Sequence, residues 1–246
     1  MKYPLLKPRY YLSLLKELVA FLKAPRAQRA YDKSSKQKIY DTIGLIVLKM
    51  VFLIPVILFF ALVYDPENIL KENMSGRFTF FQLLLVGGVV LPLIEKVAFR
   101  LSLKYKPVYL ALSSGVLCYY IITKAIFHTK ISATDESFPI RISIALFIGF
   151  IIFMISNVDR ISRTLTRFWD ANFTIIFYTA CLVFAFIHIT KYELIWLNII
   201  LLPILTLPQL FSAIIYGYTR VAFGFRYPLL LHMSMNSLAI GLSALS

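Results

Sequence analysis

Acidic, histidine and cysteine residues are all scarce in this 246-residue chain. Asp and Glu together number 12 against 26 Lys and Arg, and there are three His and two Cys residues. Cys118 and Cys181 lie in apolar stretches without C-x-x-C spacing, so we expect small packing residues rather than disulfides or thiolate metal ligands. The sequence also shows no internal repeat, low-complexity segment or nucleotide-binding glycine loop. The lack of a repeat counts against a transporter built from two related halves.

Apolar sequence, by contrast, is abundant. Hydrophobic residues make up 59% of the chain, against about 45–50% in an ordinary soluble domain. Several runs reach the roughly 20 residues that a helix needs to cross a bilayer, which predicts an all-α membrane bundle of seven to eight transmembrane helices. The count varies because Pro203 and Pro208 interrupt the sixth run and can divide it into a re-entrant piece and a helix. The predicted spans are 43–64, 78–102, 108–127, 138–155, 172–189, 194–218 and 228–245.

Positive charge is concentrated near the N-terminus and in loops that flank the predicted spans. Cytoplasmic loops of membrane proteins carry an excess of Lys and Arg, so we expect a cytoplasmic N-terminus and a protein integral to the plasma or inner membrane. Topology and membrane lipid headgroups account for this charge, and we expect no nucleic acid partner. Residues 1–40 form a predicted basic cytoplasmic arm, and residues 41–246 form the integral membrane domain.

The basic arm contains the stretch YYLSLLKELVAFLKA, in which apolar residues recur at helical spacing. Lys16 and Lys23 lie off the apolar stripe. The pattern predicts an amphipathic helix at the membrane interface, and a helix packed against the bundle is the alternative. The stripe consists of Leu12, Leu15, Leu18, Val19 and Leu22.

Polar and charged residues inside the spans are the candidates for function. The segment IEKVAFR continues an apolar helix and contains Glu95, Lys96 and Arg100. Charges at such positions usually face the interior of a bundle or a water-filled cavity, because lipid exposure is costly. Two of the three histidines, His188 and His232, also lie in apolar runs. A structural hydrogen bond is the alternative interpretation of each histidine taken alone.

Two pairs of these residues are spaced four apart, which places the members of each pair on one helix face. His232 and Asn236 present two hydrogen-bond donors, which can hold the negative charge that develops on a carbonyl oxygen under attack. A hydrogen bond between helices is the alternative. The ring of Phe184 is expected to pack one turn from His188, which can orient a water molecule. Glu95 can then serve as the general base.

Three short motifs therefore follow one another on separate predicted helices. They are Glu-x-x-x-x-Arg at Glu95 and Arg100, Phe-x-x-x-His at Phe184 and His188, and His-x-x-x-Asn at His232 and Asn236. In this order they resemble the motifs of the CPBP family, the CAAX-processing and bacteriocin-processing (Abi-type) intramembrane endopeptidases. The stretch LPQLFSAIIYGYTRVAFGFRYPLLLHMSMN also resembles the last two helices of that family. The resemblance covers about the C-terminal two thirds of the chain.

The resemblance implies a glutamate-type intramembrane peptidase that acts on a peptide or a small membrane-associated protein. Glu95 and His188 would activate water, while His232 and Asn236 would form the oxyanion hole. Two histidines with a glutamate can also ligate zinc. Asn236, however, is a poor zinc ligand and a good oxyanion donor, so we expect neither a metal nor another cofactor.

Lys96 departs from the family pattern, which usually has a second glutamate at this position. Lys96 and Arg100 carry like charges on one helix face. We expect Lys96 to extend its ammonium to the inner headgroups and to weaken Glu95 as a base. Lys96, Arg100 and Phe184 are the supporting residues of the predicted site. Lys49, inside the first span, is also expected to extend to the headgroups.

The sequence leaves two other functions open. Lys96 favours a catalytically silent family member that binds a peptide or a partner membrane protein. A transporter with Glu95 and the histidines as a proton relay is the third possibility. Relative to the family, about two extra crossings, 108–155, separate Glu95 from His188. An even number of crossings keeps the polarity of the later helices, so the site can still assemble.

Overall fold

A computed structural model describes residues 4–27, 33–70, 74 and 76–244, and every regular element in these ranges is helical. The prediction of an all-α fold is therefore confirmed. Short helices Trp196–Ile200 and Leu202–Leu205 accompany nine longer ones in the described chain. The longer helices are α1 Pro8–Lys23, α2 Ser35–Leu62, α3 Phe80–Leu103, α4 Pro107–Ile126, α5 Phe138–Ser156, α6 Asp159–Ala171, α7 Phe173–Lys191, α8 Leu207–Ala222 and α9 Arg226–Ser243.

Five of the described helices, α2, α3, α4, α5 and α7, are long and apolar enough to cross a membrane. The predicted span 194–218 is not one helix. Pro203 and Pro208 lie in the first turns of Leu202–Leu205 and α8, where proline is tolerated because the first N–H groups of a helix have no helical partner. The break that the prolines predicted is therefore present. The described chain has five helices that clearly meet the length and hydropathy of a span, so the predicted count of seven to eight is not confirmed.

Capping residues fix the starts of α2 and α3. The Ser34 hydroxyl accepts a hydrogen bond from the Gln37 backbone N–H at 3.3 Å, and the Gln37 side chain accepts one from the Ser34 N–H at 2.8 Å. Thr79 and Gln82 form the same reciprocal pair at the start of α3. Each pair satisfies two N–H groups that would otherwise lack partners. Helix α2 consequently begins at Ser35, before the predicted boundary at residue 43.

Helix α8 lies at the centre of the bundle. Most of its residues are buried, including almost all of 212–222, and it packs against α1, α2, α7 and α9. At Gly217 an added Cβ atom would lie 2.5 Å from Cε2 of Phe177, a ring with no exposed surface. Only glycine allows α7 and α8 to approach so closely, and this approach sets the spacing of the helices around the polar site.

Helix α1 packs against the bundle through a face that differs from the predicted stripe. Leu14, Leu18 and Phe21 are buried, whereas Leu12 and Val19 are exposed. The alternative interpretation, a helix packed against the bundle, therefore describes the face of α1 that carries Leu14, Leu18 and Phe21. The other face, with exposed Leu12, Leu15 and Val19, is apolar and unburied.

Polar contacts also attach the arm to the bundle. Glu17 accepts hydrogen bonds from Lys33, at 2.6 Å to Oε2, and from the Tyr218 hydroxyl. The Tyr10 hydroxyl donates to Asp41 Oδ1 at 2.6 Å. Burial of Tyr10, reinforced by this bond, raises the pKa of its hydroxyl, which stays a protonated donor. The arm and the bundle are thus joined by side chains from both.

Helices α4 and α5 form an antiparallel hairpin between the Glu95 and His188 segments. They meet closely at Gly115 and Gly149, where a Cβ atom on Gly115 would lie 3.1 Å from the Ala145 carbonyl oxygen. Small residues at a helix crossing allow this approach in membranes. Leu146 and Phe147 on the outer side are 69% and 62% exposed, as expected of a surface that faces lipid.

Candidate active site

The polar site begins at an irregular turn in α3. The segment Val86–Val90 forms a π-helical turn, a feature frequent at functional sites. An added Cβ atom at Gly88 would lie 2.7 Å from the Ser237 hydroxyl oxygen on α9. The two glycines, Gly87 and Gly88, therefore let α9 lie directly against α3. The next two turns of α3 carry Glu95 and Lys96.

Glu95 and Lys96 meet His232 inside the bundle. Lys96 Nζ lies 2.7 Å from Nδ1 of His232, and Glu95 Oε2 lies 3.9 Å from the same nitrogen. Lys96 has no exposed surface, and Glu95 Oε2 is buried without a hydrogen-bond partner in the described chain. A protonated lysine can only donate, so His232 Nδ1 accepts, and a neutral ring then carries its proton on Nε2. His232 Nε2–H is thereby left as a donor.

Tyr216, on the central helix, forms one wall of this cluster. Its ring centroid lies 3.9 Å from Lys96 Nζ, 5.6 Å from Lys49 Nζ and 5.0 Å from the His232 ring centroid. An aromatic face attracts a cation, which offsets part of the cost of burying the two ammonium groups. Tyr216 belongs to none of the sequence motifs. The only sequence signal for Lys49 was a charge within an apolar run.

The expectation that Lys96 and Lys49 extend to the headgroups is wrong. Lys96 is fully buried and Lys49 is 6% exposed. Both point inward because the ring of Tyr216, and in the case of Lys96 also the imidazole of His232, provide partners within the bundle. The two lysines are part of the site.

His188 reaches the cluster from α7. Its Nδ1 lies 2.6 Å from the Phe184 carbonyl oxygen, which can only accept, so a neutral His188 ring leaves Nε2 as an unprotonated acceptor. The Phe184 and His188 rings lie 4.6 Å apart, as the spacing predicted. The Phe184 ring centroid is also 5.2 Å from Lys96 Nζ.

Arg100 is buried next to the cluster. Its Nη1 donates to the carbonyl oxygens of Phe99 at 2.8 Å and Ala180 at 3.3 Å, and its guanidinium lies 5.1 Å from the Phe184 ring centroid. Nε and Nη2 have no hydrogen-bond partner in the described chain. Arg220 donates to the carbonyl oxygens of Arg100 and Leu101 and so fixes the end of α3. Arg100 thus joins α3 to α7.

Asn236 contacts α3. Its Nδ2 donates to the carbonyl oxygen of Gly87 at 3.0 Å, which is the helix-to-helix bond considered as the alternative for this residue. The amide nitrogen has a second hydrogen that this bond does not use. The structure therefore brings Glu95, Lys96 and His232 into direct proximity, whereas Asn236 lies one turn from His232 on α9.

The site does not have the composition of a zinc centre. Among the residues that the structure describes, no group of three or more His, Cys, Asp and Glu side chains is arranged to hold a metal ion. Nδ1 of His232, the nitrogen that lies 3.9 Å from Glu95 Oε2, already accepts a hydrogen bond from the ammonium of Lys96. A cation at this position would be repelled, so these residues do not fit zinc.

Comparisons of the chain with protein family models, with curated proteins and with solved structures give no match. The resemblance to the CPBP family therefore rests on the motif residues and on the stretch 207–236. The functional proposal rests on the geometry of the cluster around His232.

Proposed function

We propose that this protein is a glutamate-type intramembrane endopeptidase that hydrolyses a peptide bond in a peptide or a small membrane-associated protein. The observation that carries the proposal is the position of Glu95. One of its carboxylate oxygens is buried, has no hydrogen-bond partner in the described chain and lies 3.9 Å from His232. A carboxylate held in this way can accept a proton from a bound water.

The chemistry follows from the donors and acceptors of the four proposed catalytic residues. Glu95 takes a proton from water, which His188 Nε2 helps to hold, and the water oxygen attacks the substrate carbonyl carbon. The carbonyl oxygen becomes an oxyanion and accepts hydrogen bonds from His232 Nε2–H and the free amide hydrogen of Asn236. The C–N bond then breaks, and Glu95 returns the proton to the departing amine.

Lys96 has a positioning role in this proposal. Its bond to His232 Nδ1 selects the ring tautomer that presents Nε2–H to the oxyanion. Its positive charge also favours the negative charge of the tetrahedral intermediate. The lysine that departs from the family motif is therefore compatible with activity.

Lys96→Met tests this role. The variant keeps the length of the side chain but removes the bond to His232, and we expect the turnover rate to fall by roughly tenfold or more, because a hydrogen bond to a charged group contributes about 1.5–3 kcal/mol. The measurement is the cleavage rate per folded protein in membranes. Lys124→Met, which removes an exposed lysine, is the matched control. Equal rates for Lys96→Met and wild type would remove Lys96 from the mechanism.

The membrane placement is also part of the proposal. The N-terminus and its basic arm lie on the cytoplasmic side of the cell membrane. Helices α8 and α9, although outside the set of clear spans, complete a bundle of seven crossings or, with the proline-divided segment, eight. The exposed face of α1, with Leu12, Leu15 and Val19 next to Lys16 and Lys23, contacts lipid at the interface.

A silent binding protein is the second candidate. Two observations favour it: Asn236 donates to the carbonyl oxygen of Gly87, and the ammonium of Lys96 lies next to Glu95. The amide of Asn236 and the carboxylate of Glu95, which catalysis would use, therefore already interact with other groups. Such a protein would hold a peptide or a partner membrane protein in the same polar site without cleaving it.

Asn236→Ala separates the two candidates in cells. Loss of one oxyanion donor is expected to reduce the cleavage rate by roughly 10²–10³. Uncleaved membrane polypeptides should therefore accumulate, as measured by mass spectrometry of membranes with the protein level monitored in parallel. Asn157→Ala, at an exposed asparagine, should behave as wild type. If Asn236→Ala matches wild type at equal protein level, the binding protein becomes the better account.

A further inference from the structure

Lys49 is a buried cation without an anionic partner. It lies in the middle of α2, is 6% exposed, and makes no hydrogen bond or ion pair with any residue that the structure describes. Its neighbour in the site is the ring of Tyr216, whose centroid lies 5.6 Å from Lys49 Nζ and which carries no net charge. An ammonium without an anionic partner is costly in the apolar part of a membrane protein, and such residues usually mark a ligand or ion site.

Lys191 is the last residue of α7, one 3₁₀ turn beyond His188. The segment His188–Lys191 is a 3₁₀-helical turn, in which residues three apart eclipse one another, so Lys191 lies on the face of His188. The His188 ring lies 4.6 Å from the ring of Phe184, whose centroid is 5.2 Å from Lys96 Nζ. Lys191 is therefore next to the proposed reaction centre.

The charges of this region do not balance. In the described chain this region holds the carboxylate of Glu95 and four basic side chains, which are Lys49, Lys96, Arg100 and Lys191. Lys96 has a partner in His232, whereas Lys49 contacts only the uncharged ring of Tyr216, and two guanidinium nitrogens of Arg100 are unpaired in the described chain. Paired buried charges are tolerated far better than unpaired ones, so an anionic group supplied by a ligand would complete the site.

We infer that Lys49 and Lys191 form a subsite for an anionic group, a carboxylate or a phosphate, of the molecule that binds next to Glu95. The inference rests on the proposed function in one respect, which is that the molecule is taken to be the substrate. Negative charge on the ligand would then lie beside the bond to be cleaved, on the side of the site that faces α2. Glu95 repels the anion and so keeps it away from the water that Glu95 activates.

Binding of simple anionic amphiphiles tests the subsite without any cleavage. We would place the full chain in nanodiscs of zwitterionic phosphatidylcholine and follow thermal unfolding with dodecanoate, dodecyl phosphate or uncharged dodecanamide. A ligand that binds the folded state raises Tm in a concentration-dependent way. At least one anionic probe should raise Tm more than dodecanamide does. Whichever of dodecanoate and dodecyl phosphate binds more tightly identifies the preferred anion.

Variants locate the binding. Lys49→Met and Lys191→Met should each weaken binding of the anionic probe by roughly tenfold or more, because each removes a charged contact. Lys49→Arg should largely retain binding. The exposed-lysine control Lys124→Met should bind as wild type, which accounts for non-specific attraction by the basic surface. Probe binding that is unchanged in Lys49→Met and Lys191→Met, or no Tm difference between anionic and uncharged probes, would overturn the inference.

Glu95→Gln keeps this test separate from the test of catalysis. Removal of the neighbouring negative charge should leave anion binding intact or tighten it, even though the variant cannot hydrolyse a substrate. A protein that binds the probes through Lys49 and Lys191 but never cleaves a peptide would retain the subsite and lose the peptidase proposal. Anion binding that is lost in Glu95→Gln would count against the subsite.

Discussion

Replacing Glu95 by Gln is expected to reduce peptide hydrolysis by roughly 10²–10⁴, the usual contribution of a general base. The amide has the size and shape of the carboxylate but cannot accept a proton from water at neutral pH. Since Glu95 Oε2 makes no hydrogen bond in the described chain, the amide of the same shape breaks none. The rate should therefore fall while the amount of folded protein and the binding of substrate stay near wild type.

Glu193→Gln is the matched control for this variant, because Glu193 is exposed and lies outside the cluster. Both proteins would be purified in the same lipid and compared at equal folded concentration. Wild-type rates in both variants would assign Glu95 a structural role and favour the silent binding protein.

Gly217→Val is expected to have the largest effect on stability. The first added carbon would already lie 2.5 Å from Cε2 of Phe177, and the ring is enclosed on all sides. Overpacking of a tight core typically costs about 1–3 kcal/mol, and two further methyl groups at the centre of α8 should place this variant at or above the upper end. We expect a sharp loss of folded protein in the membrane, or a markedly lower Tm in detergent.

Gly241→Val provides the comparison, because an added Cβ atom at Gly241 meets nothing within 4 Å. Both variants replace a helical glycine by valine, so their intrinsic helix preferences change equally. A Tm for Gly217→Val equal to that of Gly241→Val would mean that α7 and α8 are not packed as described.

The sequence predicted the helical elements better than the directions of their charged side chains. Apolar run length located the five clear spans, and the prolines at 203 and 208 located the break before α8. Helical periodicity in the arm gave a stripe with Leu12 and Val19, whereas Leu14 and Phe21 are buried. An amphipathic pattern shows that a helix has an apolar side, but the residues that become buried depend on the surface it meets.

The predicted directions of the Lys96 and Lys49 side chains were wrong for a related reason. Extension to the headgroups is the expected behaviour of a lysine on a single helix in lipid. Lys96, however, meets His232, which is 136 positions away in the chain, and both Lys96 and Lys49 meet the ring of Tyr216. Such long-range partners leave no local signal. Residues four apart behave differently, since the contact of Phe184 with His188 follows from helix geometry alone.

The most direct test of the peptidase proposal is incorporation of solvent oxygen into new chain ends. Wild-type protein in lipid nanodiscs would be incubated in oxygen-18 water with membrane proteins extracted from cells that lack it, and new C-termini would be mapped by mass spectrometry. Hydrolysis places one solvent oxygen in each new carboxylate. We predict labelled termini with wild type and with Glu193→Gln, and none above background with Glu95→Gln. Labelled termini that form equally fast with Glu95→Gln, or that are absent with wild type, would contradict the proposal.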